Sequence, residues 1–113
     1  MAYSTSNPPA LVWQTMAGPA IADSAGTTQG SAGHGVRMWA YVSTDVSTVV
    51  DAEGFFSDGF NLGLRRGDLV TVVERVSGST TTLVTTHTVQ RSTATGGCDL
   101  SDGTALTTVT DSD

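Results

Sequence analysis

The chain has 113 residues and a formal charge of −6, from eleven acids against five arginines and no lysine. That length holds one domain at most, and that charge argues against a phosphate backbone as partner, because binding one needs a cationic surface to displace counterions. Cys98 stands alone, so no disulfide can close a loop within the chain. Nineteen threonines, twelve serines and thirteen glycines bias the backbone toward strands and turns.

The opening, MAYSTSNPPALVWQ, has no basic segment and an apolar run of only four residues. It reads as neither a signal peptide nor a membrane anchor, and the expectation is a soluble chain made in a cytosol. Residues 1–33 are predicted to form an extended N-terminal arm. The tract AGPAIADSAGTTQGSAGHG has no period of 2 or 3.6 and cannot offset an ordering entropy of about 1 to 2 kcal/mol per residue. A disordered tail is the plainer reading of the same tract, yet a tail with nothing to hold has no use for a tryptophan. Leu11, Trp13 and Ile21 are therefore expected to anchor the arm on a neighbouring subunit.

The β domain is expected to run from 34 to 113. Val36 to Ser43 alternates, with Val36, Met38, Ala40 and Val42 on one face and Arg37, Trp39, Tyr41 and Ser43 on the other. This is a period-2 strand whose second face carries two aromatics, so both sides are expected to be covered. Thr44 and Asp45 can cap a helical turn through Val46 to Glu53, with Val46, Val49 and Val50 pointing inward. Three β-branched valines keep that helix short.

Gly54 to Val76 is the richest apolar stretch and the predicted nucleus of the core. It holds Phe55, Phe56 and Phe60, then Leu62 and Leu64, and after a turn at Arg66-Gly67-Asp68 it continues through Val70 and Val72. Burying one Phe or Leu side chain contributes about 1.5 to 3 kcal/mol. Glycine suits the turn through its freedom at φ, and Asp68 can bond nearby backbone amides.

The strand from Asp68 to Val76 is expected to leave the core for solvent at Glu74 and Arg75. Ser77-Gly78-Ser79 signals a hairpin turn, and Thr80 to Arg91 returns as its antiparallel partner, with Leu83, His87 and Val89 on one side. Gly96-Gly97 should break the ladder before Cys98. Ser101-Asp102-Gly103 makes another turn, and Thr104 to Thr110 forms a last weak strand. Four or five short strands around three phenylalanines and two tryptophans predict an all-β fold with a minor short helix. The expected form is a small antiparallel β-barrel or sandwich carrying the N-terminal arm.

The residue types that carry chemistry are sparse. Zinc needs three or four converging ligands, and neither a C-x-x-C nor an H-x-x-x-H spacing is present, so His34 reads as loop and His87 as a half-buried sheet residue. There is no G-x-S-x-G elbow for a serine nucleophile. The acidic turns at Ser57-Asp58-Gly59 and Asp99 to Gly103 lack the D-x-D-x-D-G run of a calcium loop. No helix follows the glycines to make a phosphate cradle. No catalytic, cofactor or metal residues are therefore predicted, and the chain is not expected to be an enzyme. The Arg65-Arg66 doublet is read either as solvated charge or as an intersubunit clamp on a carboxylate, for which arginine is well shaped.

Several runs then point to a family. MAYSTSNPP, RMWAYVSTD, DAEGFFSDGFNLGLRRGDLVTVV, TTLVTTHTV and VQRSTATGGCDLSDGT resemble small structural proteins of tailed bacteriophages and prophages, encoded among head genes. The shared pattern is carried by Gly54-Phe55-Phe56, Leu62-Gly63-Leu64, Gly67-Asp68, Thr86-His87-Thr88-Val89 and Asp99 to Thr104. It covers most of 34–113 and, more loosely, the first nine residues; the glycine-rich tract around 15–35 departs from it. The resemblance implies a capsid cement or decoration protein on the outer capsid surface of the virion. There it would sit as a homotrimer that clamps neighbouring major capsid subunits, binding neither nucleic acid nor membrane. The alternative is a head-fibre or tail-fibre module that binds host surface glycans, with Trp39 and Tyr41 as exposed platforms.

Overall fold

A computed structural model describes residues 3–15, 21–22, 28–30, 35–75 and 83–106. Along them run β1 (Ala10–Gln14), β2 (Ile21–Ala22), β3 (Thr28–Gly30), β4 (Arg37–Ser43), α1 (Ser47–Val50), α2 (Gly59–Leu62), β5 (Leu69–Glu74), β6 (Val84–Thr93), β7 (Gly97–Leu100) and β8 (Thr104–Ala105). The fold is all-β with two single helical turns. His34, the turn expected at Ser77-Gly78-Ser79 and the end of the last strand, 107–110, lie outside the described residues.

Six strands make one open sheet in the order β1-β4-β5-β6-β7, with β8 also paired to β6, while β2 and β3 pair with each other. The expected antiparallel ribbon is present, with Leu69 opposite Thr88 and Val73 opposite Val84. The sheet is nevertheless mixed, because β4 and β5 run parallel, from Met38 opposite Leu69 to Ser43 opposite Glu74. A parallel pair needs a long crossover, and residues 44–68 supply it. Periodicity reports the face a side chain takes, not the direction of the neighbouring strand.

That crossover also brings the core. Val50, Phe56 and Leu64 come down from it onto Trp39 and Tyr41 of β4, Val70 and Val72 of β5, Val89 of β6, and Cys98 and Leu100 of β7. Phe56 lies at the centre, with its ring edge-on to Tyr41 at 4.8 Å and to Phe55 at 5.1 Å. Of the expected core, Phe56, Leu64, Val70 and Val72 are fully buried, and Phe55 packs against them from a half-buried position. Phe60 is half-buried and Leu62 is exposed. The single turn of α2 explains this correction, since it directs Gly59 inward, where a Cβ would stand 2.8 Å from Cys98 Cβ, and leaves Leu62 outside.

Other expectations are corrected in the same way. Strand β4 buries its aromatic face, whereas Val36 and Val42 are exposed on the other side, so only one face is fully covered. Two aromatic rings carry far more apolar area than the valines opposite. Of the three valines at α1 only Val50 is buried, because a one-turn helix can aim one residue at the core. Val46 holds the N-cap position with no side-chain cap bond. Instead the Ser43 hydroxyl accepts the Asp45 N–H and donates to the Asp45 carbonyl, both at 2.8 Å. Glu74 is buried, and the first fully exposed residue is Arg75, just past the end of β5.

Gly96-Gly97 does not end the ladder but turns it back. Thr93 lies opposite Gly97 and Ser92 opposite Cys98, so β7 returns along β6. Gly97 takes φ +72°, and a Cβ there would meet the Phe56 carbonyl oxygen at 3.1 Å. Glycine serves both the turn and the close passage of the crossover.

Candidate functional site

Residues 3–15, read from sequence as part of an arm, are laid across the chain's own body. The Tyr3 hydroxyl donates to Asp58 Oδ1 at 2.6 Å, and its ring stands edge-on to Phe56 at 5.2 Å. Burial, followed by the Asp58 bond, holds that hydroxyl well above the ordinary tyrosine range. Asn7 Nδ2 donates to the Val42 carbonyl at 3.0 Å. After Pro8-Pro9 the chain enters β1 and pairs antiparallel with β4, Ala10 opposite Ala40 and Gln14 opposite Arg37, with a register shift between Leu11 and Trp13. The Trp13 indole N–H donates to Met38 Sδ, and Arg37 Nε–H to Gln14 Oε1, each at 3.0 Å.

This strand is the end of the sheet, and every residue in it is exposed. Leu11 is 46 %, Val12 57 % and Trp13 45 % open to solvent. No charged residue occurs from Tyr3 to Gln14. Natural sheets commonly guard such edges with charge, proline or a bulge; here the prolines lie before the strand and the register shift falls within it. An uncharged, exposed edge is a template for adding another strand.

On the opposite side of the sheet β6 carries two partners, β7, which is mostly buried, and β8, which is exposed. Thr104 and Ala105 of β8 pair with Thr86 and Thr85 of β6, and Leu106 beyond them is 57 % exposed. His87 holds this end in place. It is a fully buried residue rather than the expected half-buried one. Its Nδ1–H donates to the Ser101 carbonyl at 2.8 Å, which leaves Nε2 to accept the Thr85 hydroxyl at 2.8 Å. Gly103 passes so near the ring that a Cβ would fall 2.7 Å from His87 Cε1.

The arginine doublet is placed elsewhere. Arg65 Nη1 donates to the carbonyls of Phe60 at 2.7 Å and Leu64 at 2.9 Å, and its guanidinium lies 3.7 Å over the Phe60 ring. These bonds hold the group to its own chain. Burial, and then the charge of Arg37, lower its pKa. Arg66 beside it is half-exposed. Arg37 links this region to β1, since it bonds both Gln14 and the Gly63 carbonyl. Ile21 stands in β2 opposite Gly30.

A buried carboxylate organises this corner. In the Arg66-Gly67-Asp68 turn the Asp68 side chain points inward and is fully buried. Oδ1 accepts the Arg37 backbone N–H, and Oδ2 accepts the Trp39 indole N–H and the Arg65 backbone N–H, each at 3.1 Å. The sequence shows an acid after a turn glycine, and nothing in it shows that two of the acid's three partners lie on β4.

The remaining chemistry is limited. A shallow cleft of about 160 Å³ is lined by Glu53, Arg91, Thr93 and Asp99 among others. Burial, then the charges of Glu53 and Asp51, raise the Asp99 carboxyl above its ordinary range. Burial pushes the Cys98 thiol up to about 12, which keeps it protonated and unreactive at neutral pH. Among the described residues no three His, Cys, Asp or Glu side chains converge to hold a metal ion, and no helix is long and apolar enough to cross a membrane. Trp39 and Tyr41 lie in the core and offer no platform to a glycan. No family model matches the chain, and neither does any curated protein or solved structure.

Proposed function

We propose that this chain is a virion structural protein of the capsid cement or decoration kind, a homotrimer on the outer capsid surface that clamps neighbouring major capsid subunits. The observation that carries the reading is the uncharged, exposed edge of β1, with Leu11, Val12 and Trp13 presented on a strand fastened to the body by Tyr3, Asn7 and Gln14. An edge of that kind acts by adding interface rather than by chemistry. The sequence resemblance to head-gene structural proteins agrees with it. The fibre alternative is weaker, because the two aromatics it would use are buried under the crossover.

The test uses heads assembled from a tailed-phage major capsid protein, the partner this reading assigns to the chain. Heads incubated with the purified protein should take it up at a fixed ratio to capsid subunits and rupture at a higher temperature. Val12→Lys, which places a charge on the edge without disturbing the core, should reduce that uptake. Heads that neither bind the chain nor change their rupture temperature would overturn the reading.

A further inference from the structure

The sheet is open: β1 is its last strand on one side, and on the other side β6 is flanked by β7 and by β8, of which β8 shares the uncharged, exposed character of β1. On one side stands β1, exposed throughout; on the other stands β8, whose Thr104 and Ala105 are exposed and are followed by exposed Leu106. Neither strand contains a charge. Among the described residues the acids lie off both strands: Asp45 follows β4, Asp51, Glu53 and Asp99 are grouped near the β6–β7 turn, Asp58 is bonded to Tyr3, Asp68 and Glu74 are buried, and Asp102, two residues before β8, is exposed.

A chain of net charge −6 is repelled by its own copies over most of its surface. The two uncharged edges are where a second copy can approach without bringing like charges together. We infer that copies of this chain join head to tail, the β1 edge of one adding as a strand to the β8 edge of the next. This deepens the proposed function and rests on its reading of the chain as self-assembling; what it adds is the surface through which copies meet.

A head-to-tail joint covers both exposed edges. A two-fold pairing of β1 with β1 would cover one and leave Leu106 in solvent. Heterologous joints form a ring when the rotation closes, and in a ring neither of these two edges remains free to recruit further strands. The edges are short, five residues in β1 and two in β8. A single joint is therefore weak, and the closed assembly is held by making all its joints at once.

Two single substitutions and their mixture test the inference by sedimentation velocity. The parent should sediment as a multiple of the monomer mass. Val12→Lys and Leu106→Lys should each sediment as monomers of unchanged fold, checked by circular dichroism and melting temperature. An equimolar mixture has one intact β1 edge and one intact β8 edge, so it can make one weak joint but no ring, and should sediment no larger than a one-to-one pair. A parent monomeric at every concentration would overturn the inference, as would either variant, or their mixture, assembling like the parent. Heads play no part in this measurement. A chain that assembles but is ignored by heads would defeat the proposed function alone, whereas an assembly taken up by heads that Val12→Lys and Leu106→Lys both leave intact would defeat the head-to-tail joint alone.

Discussion

Replacing Asp68 with asparagine keeps the size of a buried side chain but turns one of its two acceptors into a donor. Oδ2 serves two N–H groups and Oδ1 serves one, so the new amide nitrogen will settle on the side of the Arg37 N–H. That backbone donor then faces another donor, at a cost of about 1 to 3 kcal/mol for an unsatisfied buried group. The two remaining bonds lose the assistance of charge, which adds about 1 kcal/mol or slightly more. The sum is about 2 to 4 kcal/mol, against a total stability of about 6 to 17 kcal/mol expected for a chain of this length. Asp68→Ala strands three donors and should bring the protein to the edge of unfolding. Equilibrium unfolding in urea, followed by tryptophan fluorescence, reads this well because the indole of Trp39 sits on the carboxylate. With m of about 1 to 3 kcal/mol/M, the asparagine variant should lose about 1 to 2 M in midpoint. A midpoint within about 0.3 M of the parent, a difference no larger than the usual uncertainty, would refute the account of Asp68 as the anchor of the β4–β5 corner.

Three other outcomes are expected. Phe56→Ala should lose about 3 to 5 kcal/mol, because the ring is fully buried and edge-on to three other aromatics, and should melt at least about 10 °C below the parent; a shift of a degree or two would remove Phe56 from the centre of the core. Cys98 should resist a thiol reagent in the native protein at about pH 8 and react promptly once urea is added, so fast native labelling would contradict its burial. Asp99 gives a pH effect of definite sign. Its folded carboxyl titrates above the ordinary value, so the native chain holds a proton that the unfolded chain has released. Stability should therefore fall as pH rises through the window from the ordinary carboxylate pKa, about 4, up to the raised one. Asp99→Asn should flatten that slope, and an unchanged slope would locate its origin elsewhere.

The sequence made some features legible because they depend on residues close together. The β5–β6 ribbon follows from two β-branched runs around a turn signal, and the central place of Phe56 follows from the density of large apolar groups around it. Other features depend on partners far along the chain. Trp39 and Tyr41 share a strand with Met38 and Val42, and only the arrival of the crossover decides which face becomes the interior. Asp68 reads as an ordinary turn acid until Arg37 and Trp39 are placed beside it. Tyr3 gives no local sign of its role, since the aromatics that receive it begin with Tyr41. At the candidate site, the apolar character of Leu11 and Trp13 was plain in the sequence. That they stand on the last strand of the chain's own sheet was not, because pairing with β4 is a long-range choice.

The parallel seam between β4 and β5 also has a consequence for synthesis. As the polypeptide leaves a ribosome, the amide of Arg37 has to wait for Asp68, 31 positions later, before its acceptor exists. Until then β4 can be matched only by β1, while β5 and β6 go on to assemble their own ribbon from neighbouring residues. The finished molecule arises when these two halves meet along one line, with the aromatic rings closing over it. Contacts that join distant parts of a chain form slowly, so substitutions along this line should retard maturation of the nascent protein more than equally destabilising changes inside the ribbon.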